Sequence, residues 1–186
     1  AIPKKITEVT TPTIVVYSHG SNTEVTTDTE DPFMRDLQLY GKAFTKNNYI
    51  FAASNQHGAN WGSSQAIQDT MNMIEYIKEN YDTQEKIYMI GYSMGGLPTM
   101  NFATTYPEIV SKIALLAPTT YSTEWNTAKV QKIENIDIQI WHGTADVNVP
   151  YSLSTTFVNK LNPLGREIPL ITINGIGHWD LDTEYI

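Results

Sequence analysis

Residues 86–100 read Lys86-Ile87-Tyr88-Met89-Ile90-Gly91-Tyr92-Ser93-Met94-Gly95-Gly96-Leu97-Pro98-Thr99-Met100. An apolar run from Ile87 to Ile90 leads into G-x-S-x-G, after which Leu97, Met100, Asn101 and Thr104 recur at helical spacing. The pattern predicts a buried strand that turns sharply into a helix, with Ser93 at the corner. Gly91 and Gly95 lack a Cβ, so strand and helix can approach closely and the serine can hold a strained backbone angle. Such a corner presents the hydroxyl at the carboxyl edge of a sheet. The first amides of the helix point the same way and favour a developing negative charge. Pro98 falls in the first helical turn, where its missing N–H is tolerated.

On either side of this stretch the chain alternates between short apolar runs and amphipathic segments. Strands are expected at 13–17, 49–53, 112–117, 136–141 and 169–173, besides the one that ends at Ser93. Asp31 and Pro32 open a helix as N-cap and first helical residue, with Phe33, Leu37, Tyr40 and Phe44 on one face. A second helix from Ser63 to about Tyr81 is expected to bury Ile67, Met71, Ile74 and Ile77. The helix after Ser93 runs to about Tyr106, and one opened by Pro150 carries Leu153, Phe157 and Leu161. Residues 118–135 read as an irregular polar connection, and 1–12 as an N-terminal tail or short edge strand. This rhythm indicates an α/β fold: a mostly parallel sheet of about six strands with helices on both faces, in one domain over 1–186.

Composition narrows the function. The chain has 186 residues, 41% hydrophobic and 17% charged, which suits a globular protein with a sizeable core. A formal net charge of −8 argues against nucleic acid or an anionic membrane as partner. No apolar run approaches the roughly 20 residues needed to span a bilayer, and no signal-peptide core stands at the start. The first residue is Ala1, so a trimmed or processed product is expected, and secreted and cytosolic locations both stay open. Without cysteine there is no disulfide, thiolate metal site or cysteine nucleophile. The four histidines lack metal-ligand spacing such as H-E-x-x-H, and no Gly-rich phosphate loop with lysine occurs, so neither metal nor cofactor is expected.

In a parallel sheet, functional groups gather beyond the carboxyl ends of strands. Those ends hold Ser18-His19-Gly20-Ser21, Ser54, His57, Ser93, Asp146 and His178. A serine hydroxyl is a poor nucleophile until a base within hydrogen-bond reach takes its proton and a third group orients that base. His19, His57, His142 and His178 are the candidate bases. Asp146, just past a strand end, is the best-placed acid, although an Asx-turn or helix cap would also account for it. Glu108, Glu124, Glu134 and Asp137 fall in helix ends, connections or strand starts. Asp180 and Asp182 read as surface groups.

The chain resembles the α/β-hydrolase superfamily. The resemblance rests on Ser18-His19-Gly20-Ser21, on Gly91 to Gly96, on His142-Gly143-Thr144-Ala145-Asp146-Val147-Asn148-Val149-Pro150 and on Gly177-His178, and covers residues 13–180. The form of its acid loop is similar to that of the dienelactone hydrolase, carboxylesterase and prolyl-oligopeptidase branches. The family's chain order, serine then acid then histidine, implies Ser93 as nucleophile, Asp146 as orienting acid and His178 as base. It further implies an oxyanion hole from the backbone N–H of Met94 and one from the loop after the first strand, Ser21 before Gly20. His19 and His142 then read as loop-shaping residues.

The chain departs from the family's pattern twice. The two antiparallel strands that open most members are not evident, and the roughly eighteen residues at 118–135 are too few for a cap domain. A lidless minimal core is therefore expected, with substrate chosen by loops at 21–30, 57–61 and 119–125. His57, Trp61 and Trp125 are the candidate substrate contacts. The implied activity is that of a serine esterase of carboxylesterase type acting on a small-molecule ester. Peptide or amide hydrolysis, thioester hydrolysis and a catalytically silent binding module are the alternatives. Nothing in the sequence speaks to oligomeric state.

Overall fold

The computed structural model describes residues 1–3 and 11–180. Most of the expected tail or edge strand, and Asp182, lie outside them. Six strands, β1 (Thr13–Ser18), β2 (Tyr49–Ala53), β3 (Ile87–Tyr92), β4 (Val110–Leu116), β5 (Asp137–Gly143) and β6 (Leu170–Ile173), form one sheet in the order β2-β1-β3-β4-β5-β6. Every described pairing is parallel. Five α-helices connect them: α1 (Pro32–Lys46), α2 (Ser64–Asn80), α3 (Gly96–Thr105), α4 (Thr127–Lys132) and α5 (Tyr151–Leu161).

The strand order fixes where the helices go. A parallel crossover is almost always right-handed, so connections running in one direction across the sheet place their helices on one face. From β2 onward the chain moves steadily toward β6. Accordingly Ile74 and Ile77 of α2, Phe102 of α3, Val130 of α4 and Phe157 of α5 share a single core with Ile14, Val16, Met89, Ile113 and Ile138. The step from β1 to β2 runs the other way and leaves α1 alone on the opposite face. There Leu37 and Tyr40 pack on Val15, Tyr17 and Phe51. Side chains alternate along each strand, so Met89 faces one core and Ile90 the other. Beside α1, whose Phe44 forms part of its wall, an apolar groove of about 350 Å³ crosses this second face, lined further by Tyr88, Ala114, Leu116 and Trp141.

Local chemistry sets the helix starts. Asp31 accepts a hydrogen bond from the Met34 N–H at 3.1 Å, with Pro32 in the first turn, and Ser63 accepts from Ala66 N–H at 3.3 Å. Two details depart from the sequence expectation. The buried face of α2 is Ala66, Thr70, Ile74 and Ile77, with Ile67 and Met71 only half-buried. Thr70 accepts a hydrogen bond from Gln56 at 2.7 Å and so turns inward. The connection at 118–135 is not wholly irregular: it contains α4, capped by Asn126, with Val130 and Ile133 buried. Six residues give less than two turns, too short for a periodic signal.

Between β4 and β5 there is only a single 3₁₀ turn (Ser122–Glu124) and α4, and no cap domain. Ala1 donates to Phe51 O at 2.6 Å and accepts from Phe51 N–H at 3.0 Å, an antiparallel exchange on the outer edge of β2. Among the described residues, no helix is long and apolar enough to cross a membrane.

Candidate active site

β3 delivers Ser93 to the carboxyl rim of the sheet. Its φ of +55° is left-handed, a conformation that costs a non-glycine residue about 1–3 kcal/mol and persists only where the surroundings enforce it. They do so on two sides. The Ser93 carbonyl accepts from Thr119 N–H at 2.8 Å, which ties the turn to the loop after β4. Gly95 sits so close to β1 that a Cβ there would lie 2.0 Å from the Ser18 carbonyl oxygen. The chain must therefore turn at once into α3, and the serine hydroxyl is left facing outward at the corner.

The acid loop follows β5. Asp146 Oδ1 accepts from Asn148 N–H at 2.9 Å and from Val149 N–H at 2.8 Å. Oδ2 lies 2.6 Å from His178 Nδ1. The Asx-turn role and the pairing with histidine are thus both present, one on each oxygen. His142, fully buried, braces the same loop: its Nε2 donates to the Val149 carbonyl at 2.9 Å and lies 3.2 Å from Asp146 Oδ2, while its Nδ1 accepts from Ser154 Oγ at 2.7 Å. Burial pushes the His142 pKa below its ordinary value, although the Val149 carbonyl and the Asp146 carboxylate pull it upward. Its neutral form is therefore favoured.

The loop after β6 carries His178 and is fastened to the acid loop. Thr144 N–H donates to Ile173 O and Ala145 N–H to Ile176 O, each at 3.0 Å. Gly143 makes this contact possible, since a Cβ there would stand 2.1 Å from the Ile176 carbonyl oxygen. Tyr92 Oη donates to the His178 carbonyl at 3.0 Å, and its ring lies 5.1 Å from the imidazole. An ionised carboxylate only accepts, so the proton of His178 belongs on Nδ1. That leaves the Nε2 lone pair toward Ser93 Oγ, 3.0 Å away. The three side chains are 7% exposed or less. Chemically, the row can draw a proton from the hydroxyl, hold it on the imidazole and stabilise the resulting cation.

A cavity of about 260 Å³ opens over the serine, bordered by Gly20, Ser21, Trp61, Thr119, Leu153 and Trp179, together with His178. It is smaller than the groove on the α1 face, but of the two it alone is lined by Ser93 and His178. Gly20 packs beside the serine: a Cβ there would lie 3.5 Å from Ser93 Cβ. Met94 turns its side chain inward, fully buried, with its sulfur 3.4 Å from Trp61 N. His19 is buried and meets the Asn55 carbonyl through Nε2 at 2.9 Å, bracing the loop after β1.

Of the expected substrate contacts, only Trp61 borders this cavity. Trp125 is 4% exposed and packs edge-on against Phe157 at 5.4 Å, because α4 and α5 close over it. His57 points away and pairs with Asp69 of α2 at 2.6 Å. Tyr92, Ser154 and Trp179 were not singled out in the sequence. Tyr92 occupies the freely variable position before the serine, and Ser154 gave no signal of its own. Trp179, directly after His178, could have been found from that adjacency.

A family model described as the alpha/beta hydrolase fold matches residues 29–162. No curated protein matches the chain. Among solved structures, a thermostable esterase shares 19% identity at a TM-score of 0.71, over 93% of this chain and 49% of the other. The Staphylococcus aureus fluorophosphonate-binding serine hydrolase FphF shares 16% at 0.74, over 95% and 83%. Pyrococcus horikoshii acylaminoacyl peptidase shares 16% at 0.69, over 96% of this chain and 34% of its own. The chain thus spans about half of the esterase and a third of the peptidase. At these identities the likeness is one of fold.

Proposed function

The chain belongs to the alpha/beta hydrolase fold family, and on that premise we propose that it is a serine hydrolase that cleaves a carboxylic ester through an acyl-enzyme on Ser93. The observation that carries this reading is the continuous row from Ser93 Oγ to His178 Nε2 at 3.0 Å and from His178 Nδ1 to Asp146 Oδ2 at 2.6 Å. In it His178 is the general base and Asp146 the orienting acid.

In the first half-reaction Ser93 Oγ attacks the ester carbonyl while its proton passes to His178 Nε2. The imidazolium that forms is stabilised by Asp146, which stays ionised. Negative charge on the former carbonyl oxygen is met by the N–H of Met94 and that of Ser21 or Gly20; one such donor is worth about 10²–10³ in rate. His178 then hands its proton to the leaving alcohol as the C–O bond breaks. Water, deprotonated by the same nitrogen, releases the acid and restores the serine.

An ester is favoured because only a 3₁₀ turn and α4 stand between β4 and β5, which leaves the cleft over Ser93 without a cap. Amide and thioester hydrolysis use the same row and are separated by experiment. Incubation with a fluorophosphonate should label Ser93, and Ser93→Ala should be neither labelled nor active while keeping its thermal transition. A panel of p-nitrophenyl esters, a thioester and peptide amides should give the highest kcat/KM on an ester. An unlabelled, folded protein would instead support a silent binding module, and activity surviving in Ser93→Ala would refute the assignment.

A further inference from the structure

We propose, building on the serine-hydrolase reading above, that Trp61 and Trp179 are the specificity-determining residues of the Ser93 cleft. Together they select a neutral ester carrying a flat unsaturated ring beside the scissile bond.

Two of the protein's four tryptophans border the cavity that holds Ser93, and both are strongly exposed, at 51% for Trp61 and 53% for Trp179. An indole left in water forgoes the burial that usually places tryptophan inside. Scattered exposed apolar residues need no explanation, but two such rings on the rim of one reactive cavity are a surface prepared for a ring. Among the described residues no lysine, arginine, aspartate or glutamate borders the cavity, so none of them there would recognise a charged substituent. A volume of about 260 Å³ lies just under the range usual for drug-sized ligands and suits a single ring next to a carbonyl.

The backbone supports the same inference. Trp61 sits at φ +48°, in a loop where Gln56 and His57 are also left-handed, at +47° and +62°. The loop is held in that shape by several ties: Asn101 Nδ2 donates to Gly62 O at 2.9 Å, Gly62 N–H to Asn60 Oδ1 at 2.8 Å, and His57 pairs with Asp69. Strain of this kind survives only where it is over-determined, and it collects at ligand clamps. Here it fixes the direction of an exposed indole.

The two rings stand by different halves of the substrate. Trp179 packs edge-on against the His178 imidazole at 5.3 Å. His178 Nε2 gives its proton to the leaving oxygen, so the alcohol half passes Trp179. The Trp61 backbone N–H lies 3.4 Å from the sulfur of Met94, the residue proposed above to supply an oxyanion N–H, and this sets Trp61 on the acyl side.

Matched ester pairs test this. Benzyl against cyclohexylmethyl acetate exchanges a flat for a saturated alcohol ring of the same carbon count, and ethyl phenylacetate against ethyl cyclohexylacetate does the same for the acyl ring. Wild-type kcat/KM should favour the flat ring by about 2- to 10-fold in each pair, the size of one aromatic contact. Trp179→Ala should bring the alcohol ratio to about one through KM and leave the acyl ratio in place. Trp61→Ala should do the reverse. The phenylalanine variants should restore part of each ratio, and they replace the alanine variants in the comparison, against leucine, if alanine prevents folding. Equal rates within both pairs, or ratios that survive the loss of their tryptophan, would overturn the proposal. If Ser93 is labelled and esters are turned over without any ring preference, this inference alone fails. If neither labelling nor turnover occurs, the hydrolase reading fails with it.

Discussion

Gly143→Ala isolates the contact that sets the proposed base, His178, against the proposed nucleophile, Ser93. The new Cβ would stand 2.1 Å from the Ile176 carbonyl oxygen and 2.8 Å from its carbon. Both contacts are backbone and cannot rotate away. Relief to 3.4 Å, where ordinary van der Waals contact begins, requires more than 1 Å of movement between the acid loop and the segment carrying His178. His178 Nε2 now lies 3.0 Å from Ser93 Oγ. A misplacement of about 1 Å costs on the order of 10²-fold in rate. Overpacking of this kind costs about 1–3 kcal/mol, and each kcal/mol lowers Tm by about 2–4 °C in a domain of this size. The assay is ester kcat/KM and the rate of fluorophosphonate labelling, with Tm alongside. Gly175→Ala is the control, because Gly175 is at φ +77° on the same loop with nothing within 4 Å of its added Cβ. It should lose stability from its backbone angle but much less of the rate. Wild-type turnover in Gly143→Ala, or equal losses in both variants, would refute the idea that loop spacing sets the reactive geometry.

Tyr92→Phe removes the donor to the His178 carbonyl. At about 1–3 kcal/mol for a buried acceptor left alone, Tm should fall by several degrees and kcat should drop more than KM rises; a kinetically silent variant would show that the loop does not need this anchor. Asp146→Asn should lower kcat by about 10³- to 10⁴-fold with the fold retained, as expected when the base loses its orienting charge; a loss under tenfold would remove Asp146 from the row. His142 should make the fold sensitive to acid. Its pKa is held below the ordinary value, mainly by burial, so as pH falls below about 6.5 the unfolded chain takes up a proton that the folded chain refuses. Urea unfolding at pH 7.5 and 5.5 should show a loss of stability that is smaller in His142→Gln. Parallel losses in the two proteins would exclude this cause.

The elements legible in the sequence were those whose signal is local. Short apolar runs alternating with amphipathic segments marked the six strands, and Asp31-Pro32 and Ser63 marked helix starts through their own side-chain chemistry. Ser93, Asp146 and His178 could be named because each lies just beyond the carboxyl end of a strand, and the family's chain order chose among four histidines. What escaped depends on neighbours distant in sequence. Trp125 looks like a cleft aromatic until α5 brings Phe157 against it. Tyr92 looks like any strand residue until the loop after β6 places the His178 carbonyl at its hydroxyl. The length of α4 left too little pattern to read, although its cap, Asn126, was in plain view.

Ser93 and the His178 imidazole are separated by 85 residues, and the imidazole and the Asp146 carboxylate by 32. They are joined only after successive parallel strands have docked, a topology whose distant pairings form slowly. Capture of a phosphonate by Ser93 would therefore act as a stopwatch for the arrival of the final strand. During refolding, helical signal should recover ahead of covalent capture, and the lag between the two would time the closing of the sheet's last edge.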